Sequence, residues 1–254
     1  MTGKLFVIGL GPGSPEQVTP QAEHAVAEAS HFYGYAPYLD RLELRSDQIR
    51  VGSDNREELS RANAALDMAA GGRTVAVVSG GDPGVFAMAA AVCEAIEAGP
   101  QAFRDVDLVI VPGVTAMLAV AARVGAPLGH DFCAISLSDN LKPWDVIENR
   151  LKAAAGAGFV IALYNPVSKA RPWQLDRAFD IMRSVLPSST IVIFGRAAGR
   201  PDERIETARL GDADATHADM ATCIIIGSPE TRAISRGDRP ALVYTPRSLA
   251  VASQ

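Results

Sequence analysis

Three stretches of this chain repeat one arrangement, an apolar strand that ends in a glycine turn. They read "KLFVIGLGPG" from Lys4, "TVAVVSGGDPG" from Thr74 and "VDLVIVPG" from Val106. The second and third run straight into the helix-like segments "VFAMAAAVCEAIEAG" and "VTAMLAVAARVG". The first is followed by "TPQAEHAVAEAS", where Thr19 is a natural N-cap, Pro20 suits the first helical position, and Ala22, Ala25, Val26 and Ala29 share a face. Strands that alternate with helices are laid down parallel, and a parallel sheet gathers its ligand site at the strands' carboxyl ends. The first half is therefore expected to be a largely parallel α/β sheet with three glycine turns along one edge.

Between the first and second of these strands, "HFYGYAPYLDRL" reads as a short strand and a turn broken by Gly34 and Pro37. "NREELSRANAALDMAAGG" reads as an amphipathic helix stopped by Gly71 and Gly72. After Gly125 the pattern changes. "APLGHDFCAISLSDNLKPW" is polar and rich in turn formers, and it precedes the helix "DVIENRLKAAAGAG". Then follow the strand "FVIALYN", a helix from about Pro172, the strand "TIVIFGR", a hairpin around "AAGRPDERIETARL", and the strands "TCIIIG" and "ALVYTP". Strands joined by short links predict a mixed, partly antiparallel second sheet. The expected division is residues 1–112 and 113–254, with the helix after Pro112 as connector.

The opening loop is not a dinucleotide site. That fingerprint needs Gly-x-Gly-x-x-Gly running directly into a helix whose N–H groups meet a pyrophosphate. Here the glycines are Gly9, Gly11 and Gly13, so the third is one residue early, and Pro12 and Pro15 remove two N–H groups. The helix starts near Thr19, too late to face the turn. No Gly-Lys-Ser/Thr follows, so a phosphate-binding P-loop is excluded as well. What glycines beside a proline still permit is close approach to bare backbone. In "SGGDPGVF" the same question arises: Asp82 or Ser79 caps the next helix, or a ligand lies against Gly80 and Gly81 with Asp82 accepting hydrogen bonds.

Composition narrows the partners. A net charge of −5 and the lack of a basic, aromatic-laced stretch argue against a nucleic-acid or anionic-membrane partner. No apolar run reaches the roughly 20 residues of a membrane span, and the N-terminus lacks a signal-peptide pattern. Cys93, Cys133 and Cys223 stand apart at no metal-ligand spacing. They read as three buried, reduced thiols of a cytoplasmic protein. None of the four histidines is assigned to a metal.

In this order, "GLGPG", "SGGDPGVF" and "VPGVTAMLAVAARVGAPL" resemble the tetrapyrrole methylases, S-adenosylmethionine enzymes of corrin and sirohaem synthesis, over essentially the whole chain. "YGYAPYLD", "HDFCAISLSDNLKPW" and "LYNPVSKARPWQL" resemble the branch that methylates carbon-17 of the macrocycle and contracts the ring. The resemblance implies two α/β domains, a mostly parallel N-terminal sheet and a mixed C-terminal sheet, with the cofactor in the cleft between them. It also implies a homodimer, S-adenosylmethionine as methyl donor, S-adenosylhomocysteine as product and a small-molecule tetrapyrrole as substrate. Carried over motif by motif, the cofactor shell is Pro12, Gly80, Gly81, Asp82, Val85, Thr115, Ala116, Tyr164, Asn165 and Ala197. Filling the backbone approach with Gly81→Val is expected to abolish cofactor binding while the fold is retained.

Methyl transfer from a sulfonium asks for alignment and exclusion of water more than for a protein nucleophile, which suits a chain with no Ser-His-Asp or Cys-His constellation. Ring contraction releases a hydroxyl proton, for which Asp131 and Tyr35 are candidates. A turn cap is the competing role for Asp131, and half-buried packing for Tyr35. The many carboxylates of the family substrate call for cations. Arg41, with Arg45 four residues on if "YLDRLELR" is helical, and Lys142, Lys169 and Arg171 are the candidates. Three alternatives remain at this point: a sister methylase acting at carbon-11 or carbon-20 or on a cobalt-loaded substrate, a ribosomal RNA ribose methylase of the same fold, and a non-enzymatic sensor.

Overall fold

The computed structural model describes residues 3–54 and 57–248. The chain divides into two compact units, Met1–Thr115 and Ala116–Gln254. The division falls three residues after the one expected from sequence.

The first unit holds β1 (Lys4–Gly9), α1 (Pro20–Glu28), β2 (His31–Tyr35), α2 (Ala36–Leu39), β3 (Ile49–Ser53), α3 (Glu58–Ala70), β4 (Thr74–Ser79), α4 (Met88–Ala98), α5 (Gln101–Arg104) and β5 (Asp107–Val111). The five strands form one sheet in the order β3-β2-β4-β1-β5, and every pair is parallel. Alternation along β1 sends Leu5 and Val7 to a core with α3, α4 and Phe103 of α5. Phe6 and Ile8 enter a second core with Ala22, Ala25 and Ala29 at α1 and Leu39 of α2. A strand buried on both faces has no polar side, which is why "LFVI" is continuously apolar. Helix α1 starts as the sequence predicts, with the Thr19 hydroxyl accepting from the Ala22 N–H at 3.1 Å. Helix α4 begins three residues later than expected, at Met88.

The second unit holds α6 (Ala116–Val124), β6 (Gly125–Ala126), β7 (Phe132–Ser136), α7 (Trp144–Gly156), β8 (Val160–Tyr164), α8 (Gln174–Arg183), β9 (Ile191–Arg196), β10 (Arg204–Arg209), β11 (Thr222–Ile226), β12 (Arg232–Arg236) and β13 (Arg239–Tyr244). Its main sheet has the order β10-β9-β11-β8-β7, parallel at β7–β8 and antiparallel elsewhere. One face of this sheet packs on α7 and α8, with Phe179 and Leu175 fully buried. A small sheet has the order β12-β13-β6, antiparallel at β12–β13 and parallel at β13–β6. Helix α6 is not a free connector: Val120 fills the space where a side chain on Gly195 of β9 would stand. Cys223 is buried and Cys133 half-buried, but Cys93 is exposed on α4, against the expectation of three buried thiols. Among the described residues no helix is long and apolar enough to cross a membrane.

Candidate active site

In the first unit the three glycine turns meet at the carboxyl edge of the sheet. The β1 connection leaves toward β2 and the β4 connection crosses to β5, so the gap between β1 and β4 is the switch point where a doubly wound sheet opens a ligand crevice. Here it is stitched across. Gly11 and Gly81 exchange both backbone hydrogen bonds, at 3.2 and 2.9 Å. A side chain on Gly9 would come within 2.8 Å of Gly81, Gly113 and Pro83, and one on Gly113 within 2.9 Å of Gly81 and Gly9. The close approach read from the glycines is thus largely taken up by the neighbouring loops.

Two charged side chains secure this arrangement. Asp82 does not cap α4. One of its oxygens accepts from the Gly84 N–H at 2.8 Å and the other from the Gly113 N–H at 3.0 Å, bonds made stronger by the carboxylate's charge. Arg41 donates to the carbonyls of Leu10 at 2.6 Å and Gly11 at 3.0 Å. It braces the opening loop. The helical premise for Arg41 and Arg45 fails, because α2 stops at Leu39. Arg45 pairs instead with Asp47 and the Ala27 carbonyl. Gly81 lies at φ 70 with both backbone groups engaged, so Gly81→Val would strain the fold itself and cannot isolate cofactor binding. Gly80 backs onto the Tyr38 ring, which Tyr35 meets edge-on at 5.5 Å.

In the second unit, Tyr164 and Asn165 lie at and just past the end of β8, and Ala197 follows β9. Asn165 (φ 52) and Ala197 (φ 49) both occupy the left-handed region, which costs a non-glycine residue about 1–3 kcal/mol. Each is pinned. The Asn165 amide donates from Nδ2 to the Ser136 hydroxyl at 2.9 Å. Ala197 donates to the Ala221 carbonyl and accepts from the Arg200 N–H, both at 2.9 Å. Below it, Glu203 receives the Gly199 N–H and, at 2.7 Å, the Arg123 guanidinium, and that guanidinium holds the Glu203 carboxyl below the usual range. The Tyr164 hydroxyl accepts from the Met117 N–H at 3.0 Å, seating the first turn of α6, which begins at Ala116. Burial pushes the Cys223 thiol, hydrogen-bonded to Tyr164, up to about 12. Thr115, just before α6, is buried.

The polar loops after β7 and β8 are tied to each other. Arg171 donates to Asp139 and Asn140, and the buried Gln174 amide adds a bond to Asp139 at 3.1 Å. Lys142 reaches the Ser138 carbonyl at 3.3 Å, and burial, with Arg150 adding to it, pushes its pKa down. Lys169 is exposed. Asp131 stands apart from these loops. It precedes β7, which runs parallel to β8 with Phe132 opposite Val160 and Ser136 opposite Tyr164. Its side chain, 81% exposed beside His130, therefore lies about 16 Å of strand from Ser136, at the opposite end of β7. Sequence reasoning missed Ser136 and Asp139, whose only signal was the polar run "SLSDN", and Gln174, which follows Trp173 in "ARPWQL". It also passed over Phe86.

Residues 4–214 match the family profile of the tetrapyrrole (corrin/porphyrin) methylases. The chain is 72% identical over 254 residues to the precorrin-3B C(17)-methyltransferase of a Sinorhizobium species, covering all of both proteins. It is 39% identical to the probable cobalt-factor III C(17)-methyltransferase of Salmonella typhimurium, over 96% of this chain and 98% of that one. The crystal structure of the methyltransferase CobJ superposes with a TM-score of 0.92 at 49% identity, over 96% of this chain and 100% of that one. With a matching profile over most of its length, and relatives alike in sequence and fold, the chain belongs to the tetrapyrrole methylase family.

Proposed function

We propose that this protein transfers a methyl group from S-adenosylmethionine to carbon-17 of precorrin-3B, with ring contraction to precorrin-4, in cobalamin biosynthesis. The observation that carries the reading is the pair of strained residues, Asn165 and Ala197. Strain of this kind persists where binding geometry is over-determined, and both residues fall at positions that the family likeness gives to the methyl donor. The choice of carbon-17 is supported by the Sinorhizobium and Salmonella relatives, whose names share it.

The donor's sulfonium leaves as a neutral thioether, so the chain's task is to align and to exclude water. The family likeness assigns to the donor's shell Pro12, Gly80, Gly81, Asp82, Val85, Thr115, Ala116, Tyr164, Asn165 and Ala197. Asn165 Oδ1 supplies an acceptor for the donor's hydroxyls or ammonium, and Tyr164 fixes the turn that carries Ala116. Cys223, hydrogen-bonded to Tyr164, stays protonated at neutral pH and so does not compete for the methyl group. Tyr35 remains the candidate for the contraction step, Asp131 being at the far end of its sheet. Lys142, Lys169 and Arg171 face the substrate's carboxylates, Arg171 chiefly by holding the Asp139 loop. The same likeness supports a homodimer in the cytoplasm.

Incubation with methyl-labelled S-adenosylmethionine and precorrin-3B, followed by mass and NMR analysis, tests the reading. One labelled methyl on carbon-17 of a contracted ring is expected. A methyl on another carbon, or none, overturns it, and a parallel incubation with the cobalt-loaded substrate identifies which form is used.

A further inference from the structure

Three non-glycine residues among those described lie in the left-handed region, and the donor shell accounts for two of them. The third is Phe86, at φ 52. A bulky aromatic residue at positive φ is an outlier, and the ordinary occupant of such a position is glycine, as at Gly81 in the same loop. Strain persists where the flanks leave no alternative, and here both flanks are fixed. Upstream, Gly84 and Val85 donate to Asp82, at 2.8 and 3.3 Å. Downstream, the Ala89 N–H reaches the Pro83 carbonyl at 2.9 Å and the Met88 N–H reaches the Ser79 hydroxyl at 3.4 Å. Met88 is buried, and its sulfur accepts at 3.3 Å from Arg61, itself buried and held by Ser53 and the Asp54 carbonyl.

This frame sends Met88 and Ala89 into the core beneath α4 and leaves Phe86 50% exposed. The position thus carries an aromatic ring where burial is incomplete and the backbone favours glycine. A rigid, half-exposed ring on the loop that holds Gly80, Gly81, Asp82 and Val85 suits a flat, largely apolar ligand face.

We propose that Phe86 is a substrate-contacting residue that lays its ring against a face of the tetrapyrrole macrocycle; this rests on the function proposed above. The test measures KM for precorrin-3B, S-adenosylhomocysteine affinity by calorimetry, and Tm, for the wild-type protein, Phe86→Leu and Phe86→Gly. Phe86→Leu raises the macrocycle KM by about tenfold, the scale of one lost aromatic contact, with S-adenosylhomocysteine affinity unchanged. Phe86→Gly raises that KM at least as much without lowering Tm, because glycine accepts the backbone angle. An unchanged KM, a parallel loss of S-adenosylhomocysteine affinity, or a lower Tm in Phe86→Gly overturns the proposal. Wild-type turnover with a KM insensitive to both variants removes the role of Phe86 alone. Wild-type protein that binds S-adenosylhomocysteine but methylates no precorrin-3B removes the function reading, and the Phe86 assignment falls with it.

Discussion

Ala197 has no side chain that explains its backbone. It is buried, it sits at φ 49, and glycine would take the same angle without strain. Replacing it with glycine removes about 1–3 kcal/mol of strain and returns about 0.4–1 kcal/mol through the freer unfolded chain. Ala197→Gly should therefore raise Tm by about 2–4 °C, the shift that about 1 kcal/mol makes in a protein of this size. If the strained turn shapes the donor site, S-adenosylhomocysteine affinity measured by calorimetry falls in the same variant. A higher Tm with unchanged affinity would make the strain incidental. Residues of this kind were reachable from sequence only through motif likeness, since nothing in "FGRAAG" signals a positive φ at an alanine. The roles of Asp82 and Arg41 were out of reach for another reason. Their partners lie 31 and 30 residues away, at Gly113 and Gly11, and local spacing says nothing about such pairs.

At the scale of elements, the legible ones carried their own local signals. Strands β1, β4 and β5 are apolar runs, and α1 carries a Thr-Pro start. Strand β7 was missed because its five residues lie at a sheet edge, with Phe132 41% exposed, between polar segments that read as loop. Without β7, the end of the sheet at which Asp131 stands was not legible. The β9–β10 hairpin was anticipated, but not the device that holds its turn, in which Glu203 joins Arg123 of α6 to the Gly199 N–H. The folded carboxyl of Glu203 has its pKa lowered by that arginine. Its stabilising effect is therefore complete above the unfolded value of about 4.3 and is lost as pH falls through the folded value. Glu203→Gln should lower Tm at pH 7 and flatten the decline of Tm between about pH 5 and pH 3, the range in which paired carboxylates take up protons. Thermal melts across that range check it, and parallel curves for the two proteins would count against the assignment.

For the whole molecule, charge decides more than fold does, because a methylase fold alone names no substrate. The chain carries 29 acidic and 24 basic residues, a net −5, yet the proposed macrocycle is itself a polycarboxylate. Of the basic side chains proposed to meet the substrate, Arg171 is already paired with Asp139, which leaves Lys142 and Lys169. The net charge therefore predicts that long-range attraction does not bring the macrocycle in, and that recognition comes from contacts made after arrival, such as those proposed for Phe86 and the exposed Lys169. The consequence is a salt dependence of unusual sign. As ionic strength rises from 0.01 to 0.15 M, the screening length falls from about 30 to about 8 Å. The net repulsion between two acidic bodies weakens with it. The association rate of precorrin-3B, followed by stopped-flow, should therefore rise with added salt by about twofold, a modest steering effect. A nucleic-acid-binding methylase would show the reverse, an affinity that collapses with salt as counterions compete. A rate that falls steeply with salt would mean that a local basic funnel outweighs the net charge, and that Lys142 and Lys169 act at long range.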